Sequence, residues 1–340
     1  MKRAVVLFNL GGPSAPEAVR PFLFNLFNDG AIIGVPQPLR WLLAKLISSR
    51  RAPVAREIYA NLGGKSPLLD LTREQAAALE AALAAASPGD TFKVVIAMRY
   101  WHPFAREAAR EVAAFAPDEV VLLPLYPQFS STTTGSSVKD WQRAAAAAGL
   151  AVPTRTVCCY PLAGSFISAH AALLRPHLTE ARPRVLFSAH GLPKRVVEAG
   201  DPYQWQVERT VEAIVAELAL PGLDHVTCYQ SRVGPLEWIG PSTEDEIRRA
   251  GREGKPLVVV PVAFVSEHSE TLVELDIEYA HLAREAGVPS YVRVPALGTH
   301  PDYVCALRDA VLGAVPGIAP DTGGRLCPHR FGKCPCSLAA

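Results

Sequence analysis

Eight short runs rich in β-branched residues alternate with eight Ala/Glu/Arg-rich stretches of helical periodicity. That alternation confines the chain to parallel βαβ architecture. Strands are expected near residues 4–9, 93–98, 119–124, 153–158, 184–189, 225–229, 257–262 and 290–294. Helices are expected near 73–86, 104–115, 137–148, 164–178, 203–219, 242–251, 269–286 and 301–313. The runs read as two copies of one four-strand unit. Leu7-Phe8-Asn9-Leu10-Gly11-Gly12-Pro13 parallels Leu186-Phe187-Ser188-Ala189-His190-Gly191-Leu192-Pro193, and Val121-Leu122-Leu123-Pro124 parallels Val258-Val259-Val260-Pro261. The expected fold is α/β: two similar Rossmann-like domains, each a four-stranded parallel sheet flanked by helices, with an active-site cleft between them. The first domain covers 1–150 and the second 151–300, followed by a helix over 301–315 and a cysteine-rich tail over 321–340.

The strand spacings of the halves agree except at the first step, which places an insertion at about residues 20–67 of the first half. It carries Phe22, Leu23, Phe24, Leu26 and Phe27, then Trp41, Leu42, Leu43, Leu46 and Ile47, and the basic pair Arg50 and Arg51. One reading is a pair of amphipathic helices covering a sheet edge. The other is an apolar lip around a cleft, suited to a flat greasy ligand or a membrane surface.

Composition removes several function classes. The net charge is +1 and no Lys/Arg block stands out, so no nucleic-acid partner is expected. The apolar run over 4–8 is too short for a signal-peptide core, and no apolar stretch reaches membrane-spanning length. The expected location is the cytoplasm, with peripheral contact at the inner membrane through the lip. In that compartment seven cysteines argue against structural disulfides.

In open α/β sheets ligands bind beyond the carboxyl ends of the strands. The first strand ends in Asn9-Leu10-Gly11-Gly12-Pro13, which is not a dinucleotide fingerprint, and no phosphate-binding GxxxxGK[ST] exists. The fifth strand ends at His190, followed by Gly191. An imidazole there either accepts a proton or ligates a metal, or is an ordinary core histidine. After the seventh strand come Glu267, His268, Glu270, Glu274 and Glu278, with the last three at i, i+4 and i+8. Such a row is either a solvated acidic face or a carboxylate ladder that conducts cations or protons. His beside carboxylate suits a loosely held divalent metal. In the first half, Arg99, Tyr100, Tyr126 and Ser130 follow the second and third strands. The aromatics can stack on a planar ligand, and Arg99 and the hydroxyls can pair with carboxylates. The plain alternative for Ser130-Ser131-Thr132-Thr133-Thr134 is a helix N-cap.

The tail holds Cys327, Cys334 and Cys336 in a Pro- and Gly-broken loop, so three sulfurs can converge. A fourth ligand is available at Cys158 or Cys159, of which strand alternation lets one join. Four thiolates hold zinc or a [2Fe–2S] cluster. Cys228 and Cys305 read as ordinary buried thiols.

Several segments together resemble one family. Phe8-Asn9-Leu10-Gly11-Gly12-Pro13, Tyr126-Pro127-Gln128-Phe129-Ser130 with Thr134-Gly135-Ser136, Ser188-Ala189-His190-Gly191-Leu192-Pro193, Tyr229-Gln230-Ser231-Arg232-Val233-Gly234-Pro235-Leu236-Glu237-Trp238 and Ser266-Glu267-His268-Ser269-Glu270-Thr271-Leu272 are similar to ferrochelatase motifs, in family order. The resemblance implies a lyase that inserts ferrous iron into protoporphyrin IX to form protohaem. It implies His190 as the active-site imidazole, Glu270 as the acid across the cleft, and Glu274 and His268 as a relay for the metal substrate. The family places these acids at a helix start that is locally over-wound. The resemblance also implies porphyrin contacts by Leu10, Ser66, Arg99, Tyr100, Tyr126 and Ser130. Some ferrochelatases carry a [2Fe–2S] cluster on a C-terminal cysteine set, which favours iron–sulfur on Cys158, Cys327, Cys334 and Cys336. Rival readings are a chelatase of coproporphyrin III or a corrin precursor, and a non-catalytic iron–sulfur sensor.

Overall fold

The computed structural model describes residues 1–178, 182–232 and 236–338. Among the described residues, nine strands form two parallel sheets. The first contains β1 (Lys2–Asn9), β2 (Thr91–Met98), β3 (Glu119–Pro124), β4 (Thr154–Val157) and β9 (Gly317–Ala319), in the order β2-β1-β3-β4-β9. The second contains β5 (Arg184–His190), β6 (His225–Gln230), β7 (Leu257–Pro261) and β8 (Tyr291–Arg293), in the order β6-β5-β7-β8. Reduced to their first four strands, the two sheets share one order, as two copies of a unit should. The expectation of four strands in each sheet is corrected by β9, which joins the first sheet from the far end of the chain. Val315-Pro316-Gly317-Ile318-Ala319-Pro320 is too short and too Pro/Gly-flanked to read as a strand.

The central strands explain the continuous apolar runs. Strands β3 and β7 are buried at every position, as strands covered on both faces must be. The helices are α1 (Val19–Phe27), α2 (Gln37–Ala60), α3 (Leu68–Ala86), α4 (Ala105–Phe115), α5 (Thr134–Ala147), α6 (Gly164–Leu174), α7 (Lys194–Glu198), α8 (Tyr203–Leu218), α9 (Thr243–Arg252), α10 (Ala280–Glu285) and α11 (Pro301–Leu312), with a π-helix over Glu270–Tyr279. One hydrophobic cluster joins a face of each sheet through α3, α6, α8 and α11, using Leu7, Leu83, Phe166, Phe187, Ile214 and Leu307 among others. Each such fully buried side chain contributes about 1.5–3 kcal/mol. Helices α4 and α5 cover the other face of the first sheet, and α9 with the π-helix and α10 the other face of the second. The helix expected over 301–315 is α11, and it packs on α3 and α6.

The insertion folds as α1 and α2. Phe22, Leu23 and Tyr59 pack with Tyr100 and Leu10 near the end of β1, while Leu39, Trp41, Leu42 and Leu46 stay exposed. One side of the insertion thus covers the sheet end and the other faces out. No helix among the described residues is long and apolar enough to cross a membrane.

Candidate active site

His190 sits at the carboxyl end of β5, opposite Gln230 in the register with β6. Gly191 lets the chain turn directly after it, since a Cβ there would meet the Gln230 carbonyl oxygen at 3.0 Å. The His190 ring reaches Glu270, at the start of the π-helix, with Nδ1 2.8 Å from Oε2. The ring is 41% exposed and the carboxylate 25%, so the pair is open to a ligand. Burial works against a charged imidazole, yet the Glu270 carboxylate outweighs it and raises His190 above the ordinary histidine range. Burial likewise opposes a charged Glu270, and the His190 ring overrides it and holds that carboxyl well below the usual range.

Glu274 lies behind this pair in a tighter cage. Gln230 Nε2 donates to Glu274 Oε2 at 3.0 Å, the Ser231 backbone N–H to Oε1 at 2.8 Å, and the Tyr279 hydroxyl to Oε1 at 3.0 Å. Ser188 Oγ donates to Gln230 Oε1 at 2.7 Å, which fixes the orientation of that amide. Ser231 Oγ lies 3.1 Å from Glu270 Oε2 and 2.6 Å from Glu274 Oε2. One hydroxyl proton cannot serve both carboxylates at once, so the Ser231 hydroxyl donates to one or the other. Burial and the Glu270 charge raise Glu274 above the ordinary carboxyl range. Two neighbouring acids are thus pushed in opposite directions, a pattern suited to proton transfer. Ser231 holds this position with φ +60°, a conformation that non-glycine residues rarely adopt.

The rest of the acidic row behaves differently from its spacing on paper. Glu278 is exposed and joins no part of this network. Glu267 is engaged by Arg293 and accepts the Ala296 backbone N–H at 2.9 Å, so it does not cluster with Glu270. The segment is a π-helix, with wider turns than an α-helix, which corrects the expectation of an over-wound start. His268 packs edge-on to Phe264, its Nδ1 has no hydrogen-bond partner, and burial keeps it below the ordinary histidine range. Among the described residues, no three His, Cys, Asp or Glu side chains are arranged to hold a metal ion.

The two halves of the chain meet here. Gln75 on α3 donates to the carbonyls of Val265 and Gly298, both at 2.9 Å, and accepts from Ser266 Oγ. Tyr59 on α2 reaches Ser269, next to Glu270.

The remaining first-half candidates are more engaged than their positions suggested. Arg99 donates to Asp29 at 2.9 Å and to Ser136 Oγ at 2.8 Å, and the Tyr100 hydroxyl donates to the same Asp29 carboxylate at 2.9 Å. Tyr100 is buried, and Tyr126 packs against the α4–α5 side of the first sheet. Ser130 caps no helix: its Oγ donates to buried Asp201 at 3.0 Å. Ser66 lies under the Gly11-Gly12-Pro13 turn, where a Cβ on Gly12 would come within 2.5 Å of it, and its Oγ accepts the Leu68 N–H. Leu10 packs among the lip residues beside Tyr100. Tyr100 and Ser130 thus spend their hydroxyls on buried carboxylates, and Ser66 on the backbone of the following helix. Asp29, Asp201 and the cage residues Gln230 and Ser231 had no assigned role, because polar residues in turns and at a strand end carry no periodic signal. Of the motif running from Tyr229 to Trp238, residues 233–235 lie outside the described residues.

The cysteines do converge. Cys158 and Cys159, just past β4, share a buried cluster with Cys327, Cys334 and Cys336 from the tail, ringed by Phe129 and Phe331. Strand alternation does not separate the first two, because β4 ends at Val157, and their sulfurs lie 3.4 Å apart. Cys158 Sγ is 3.6 Å from Cys336 Sγ. Among the described residues no two cysteines form a disulfide. Five sulfurs share this buried pocket with no disulfide between them, the donor chemistry of a cysteine-ligated group. Cys228 is buried against the outer face of the second sheet, with its thiol pushed up to about 12 by burial.

The ferrochelatase family model matches residues 2–314. Ferrochelatase of Caulobacter vibrioides is 58% identical over 346 aligned positions, covering 100% of this chain and 99% of that protein. The chain belongs to the ferrochelatase family. The ferrochelatases of Phenylobacterium zucineum and Pelagibacter ubique agree, at 59% and 49% identity over at least 98% of either chain. Among solved structures, SirB from Bacillus subtilis with Fe3+ superposes with TM-score 0.55 at 14% identity, covering 92% of this chain and 95% of that one. The sirohydrochlorin chelatase SirB in complex with cobalt gives TM-score 0.53 at 13% identity, with the same coverage. These two share the fold of this family member.

Proposed function

We infer that this ferrochelatase-family enzyme inserts ferrous iron into protoporphyrin IX, releasing the two pyrrole protons as the metal binds the four ring nitrogens. The observation that carries the reading is the His190–Glu270 pair at the end of β5, with its Nδ1–Oε2 distance of 2.8 Å. Neutral His190 accepts a pyrrole proton and passes it to Glu270. Ser231 hands it on to Glu274, with Tyr279 at the far end. His268 and Glu270 offer the incoming iron a weak and incomplete ligand set, which suits a metal that must leave for the ring. Leu10 and the α1–α2 lip form the apolar wall of the ring site. Arg99, its guanidinium partly exposed beside Asp29, supplies charge for a ring carboxylate, while Tyr100, Tyr126, Ser130 and Ser66 frame the site.

The test is anaerobic mixing with ferrous iron and protoporphyrin IX. Porphyrin fluorescence should fall with time, and His190→Ala should slow that fall by about 10²–10⁴-fold. Turnover of coproporphyrin III or a corrin precursor in preference to protoporphyrin would reassign the ring. Unchanged fluorescence with folded wild-type protein would leave a non-catalytic role.

Cys158, Cys327, Cys334 and Cys336 are the proposed ligands of a [2Fe–2S] cluster, supported by the shared pocket and by the closeness of Cys158 to Cys336. When bound, such a cluster supplies a one-electron centre and ties the tail to the end of β4. The exposed Leu39, Trp41, Leu42 and Leu46 beside Arg50 and Arg51 support a cytoplasmic protein that touches the inner membrane peripherally.

A further inference from the structure

Gln206 lies on the first turns of α8 with its side chain fully buried. The Phe129 backbone N–H donates to its Oε1 at 2.7 Å. A backbone N–H pairs only with an acceptor, so this bond fixes the amide with its NH2 turned the other way. There Nε2 lies 3.1 Å from Cys327 Sγ and 3.5 Å from Cys159 Sγ. An amide has two N–H donors, one for each sulfur. Neutral thiols are weak acceptors, so the buried amide N–H facing Cys327 at the shorter distance would be poorly compensated by a plain thiol there. Thiolate sulfur that shares its charge with a metal is a far better acceptor, and hydrogen bonds to such sulfur raise the reduction potential of iron–sulfur centres. The tail is held at the same place from outside the sulfurs. Lys333 N donates to the Gly200 carbonyl at 3.1 Å, and a Cβ on Gly200 would lie 2.9 Å from Gly332 N.

We propose that Gln206 is a positioning residue for the sulfur centre: its amide donates one N–H to the ligand Cys327 and one to the non-ligand Cys159, raising the midpoint potential of the cluster. The proposal rests on the iron–sulfur reading above. Cys159 is then a second-rank sulfur, held near the cluster by Gln206 rather than bound to iron.

The test uses the full chain purified without oxygen. Iron and acid-labile sulfide are measured first, and wild-type protein with neither would remove the cluster reading itself. With the cluster present, the midpoint potential is read by spectroscopic titration for wild type and Gln206→Leu. The expected result is equal iron and sulfide content, with the reduction equilibrium of the variant about tenfold less favourable, which is about 59 mV more negative for one electron. An unchanged potential in cluster-replete Gln206→Leu overturns the proposal. Should that variant fail to hold the cluster, wild type labelled with 15N-glutamine decides. A nitrogen hyperfine coupling in the reduced cluster supports the N–H···S contact, and its absence overturns it.

Discussion

The imidazole of His190 and the carboxylate of Glu270 are 80 residues apart in sequence and 2.8 Å apart in space. One ends a strand and the other opens a π-helix, and parallel pairing of β5 with β7 puts both at the same edge of one sheet. The contact sets the charge of each partner, and a pH dependence follows from it.

Glu270 raises His190, so the ring becomes a free proton acceptor only as pH climbs above that raised value. The kcat/KM profile should therefore rise on an acid limb above about 6.5, the ordinary histidine value. Glu270→Gln removes the raising charge and should move this limb to lower pH while reducing the maximal rate. A limb that stays in place would show that Glu270 does not set the ring's charge. For stability the signs run in both directions. The His190 contribution is complete below about 6.5 and is lost as pH rises through its raised value, while the Glu270 contribution is present above about 4.3 and is lost as pH falls through its lowered value. Thermal melts of wild type minus Glu270→Gln should show their largest difference between those limits.

Ser231 is the only hydroxyl placed between Glu270 and Glu274 among the described residues. Ser231→Ala should lower kcat by cutting the relay, with little change in the KM for porphyrin. Ser231→Gly also removes the hydroxyl but relieves the positive φ, so it should melt no lower than Ser231→Ala while showing the same loss of kcat. Recovery of kcat in the glycine variant would assign the effect to backbone strain.

The sulfur assignment separates adjacent residues. Cys327→Ser and Cys158→Ser should abolish the visible iron–sulfur absorption, whereas Cys159→Ser should keep it. Colour that survives Cys327→Ser but not Cys159→Ser would exchange the ligands.

Asp201 is a buried carboxylate that accepts from Ser130 Oγ, the Ser131 N–H and hydroxyl, and the Tyr203 N–H. Asp201→Ala leaves those donors without their charged partner. It should cost roughly 2–3 kcal/mol in urea denaturation and loosen the 128–133 loop, visible as faster amide exchange at Ser131. A melt unchanged by the substitution would mean that water replaces the carboxylate.

The central strands β1, β3, β5 and β7 were legible because strands covered on both faces must be largely apolar, and the others because their short β-branched runs alternate with helices. The repeat was legible because the two strand ends repeat nearly the same residues. His190 was legible from its place at a strand end, and Glu270 from the acidic segment that follows β7, both within the family motifs. Strand β9 was not, since three residues carry no period, and the wide winding of the π-helix leaves no mark in the spacing of its acids. Arg99 and Tyr100 were read as free donors, but the residue that engages them, Asp29, sits in a turn of the insertion with no pattern of its own.

Local sequence thus determined which segments are strands and helices, which residues stand at strand ends, and how many thiols the tail brings, because each depends on neighbours a few positions away. Tertiary structure alone decided that β9 lies beside β4 and delivers the tail sulfurs to Cys158 and Cys159, that Ser231 falls between two acids, and that Gln206 turns its amide toward sulfur. Those outcomes depend on contacts between distant segments, and a side chain's partners there follow from packing that no local pattern encodes.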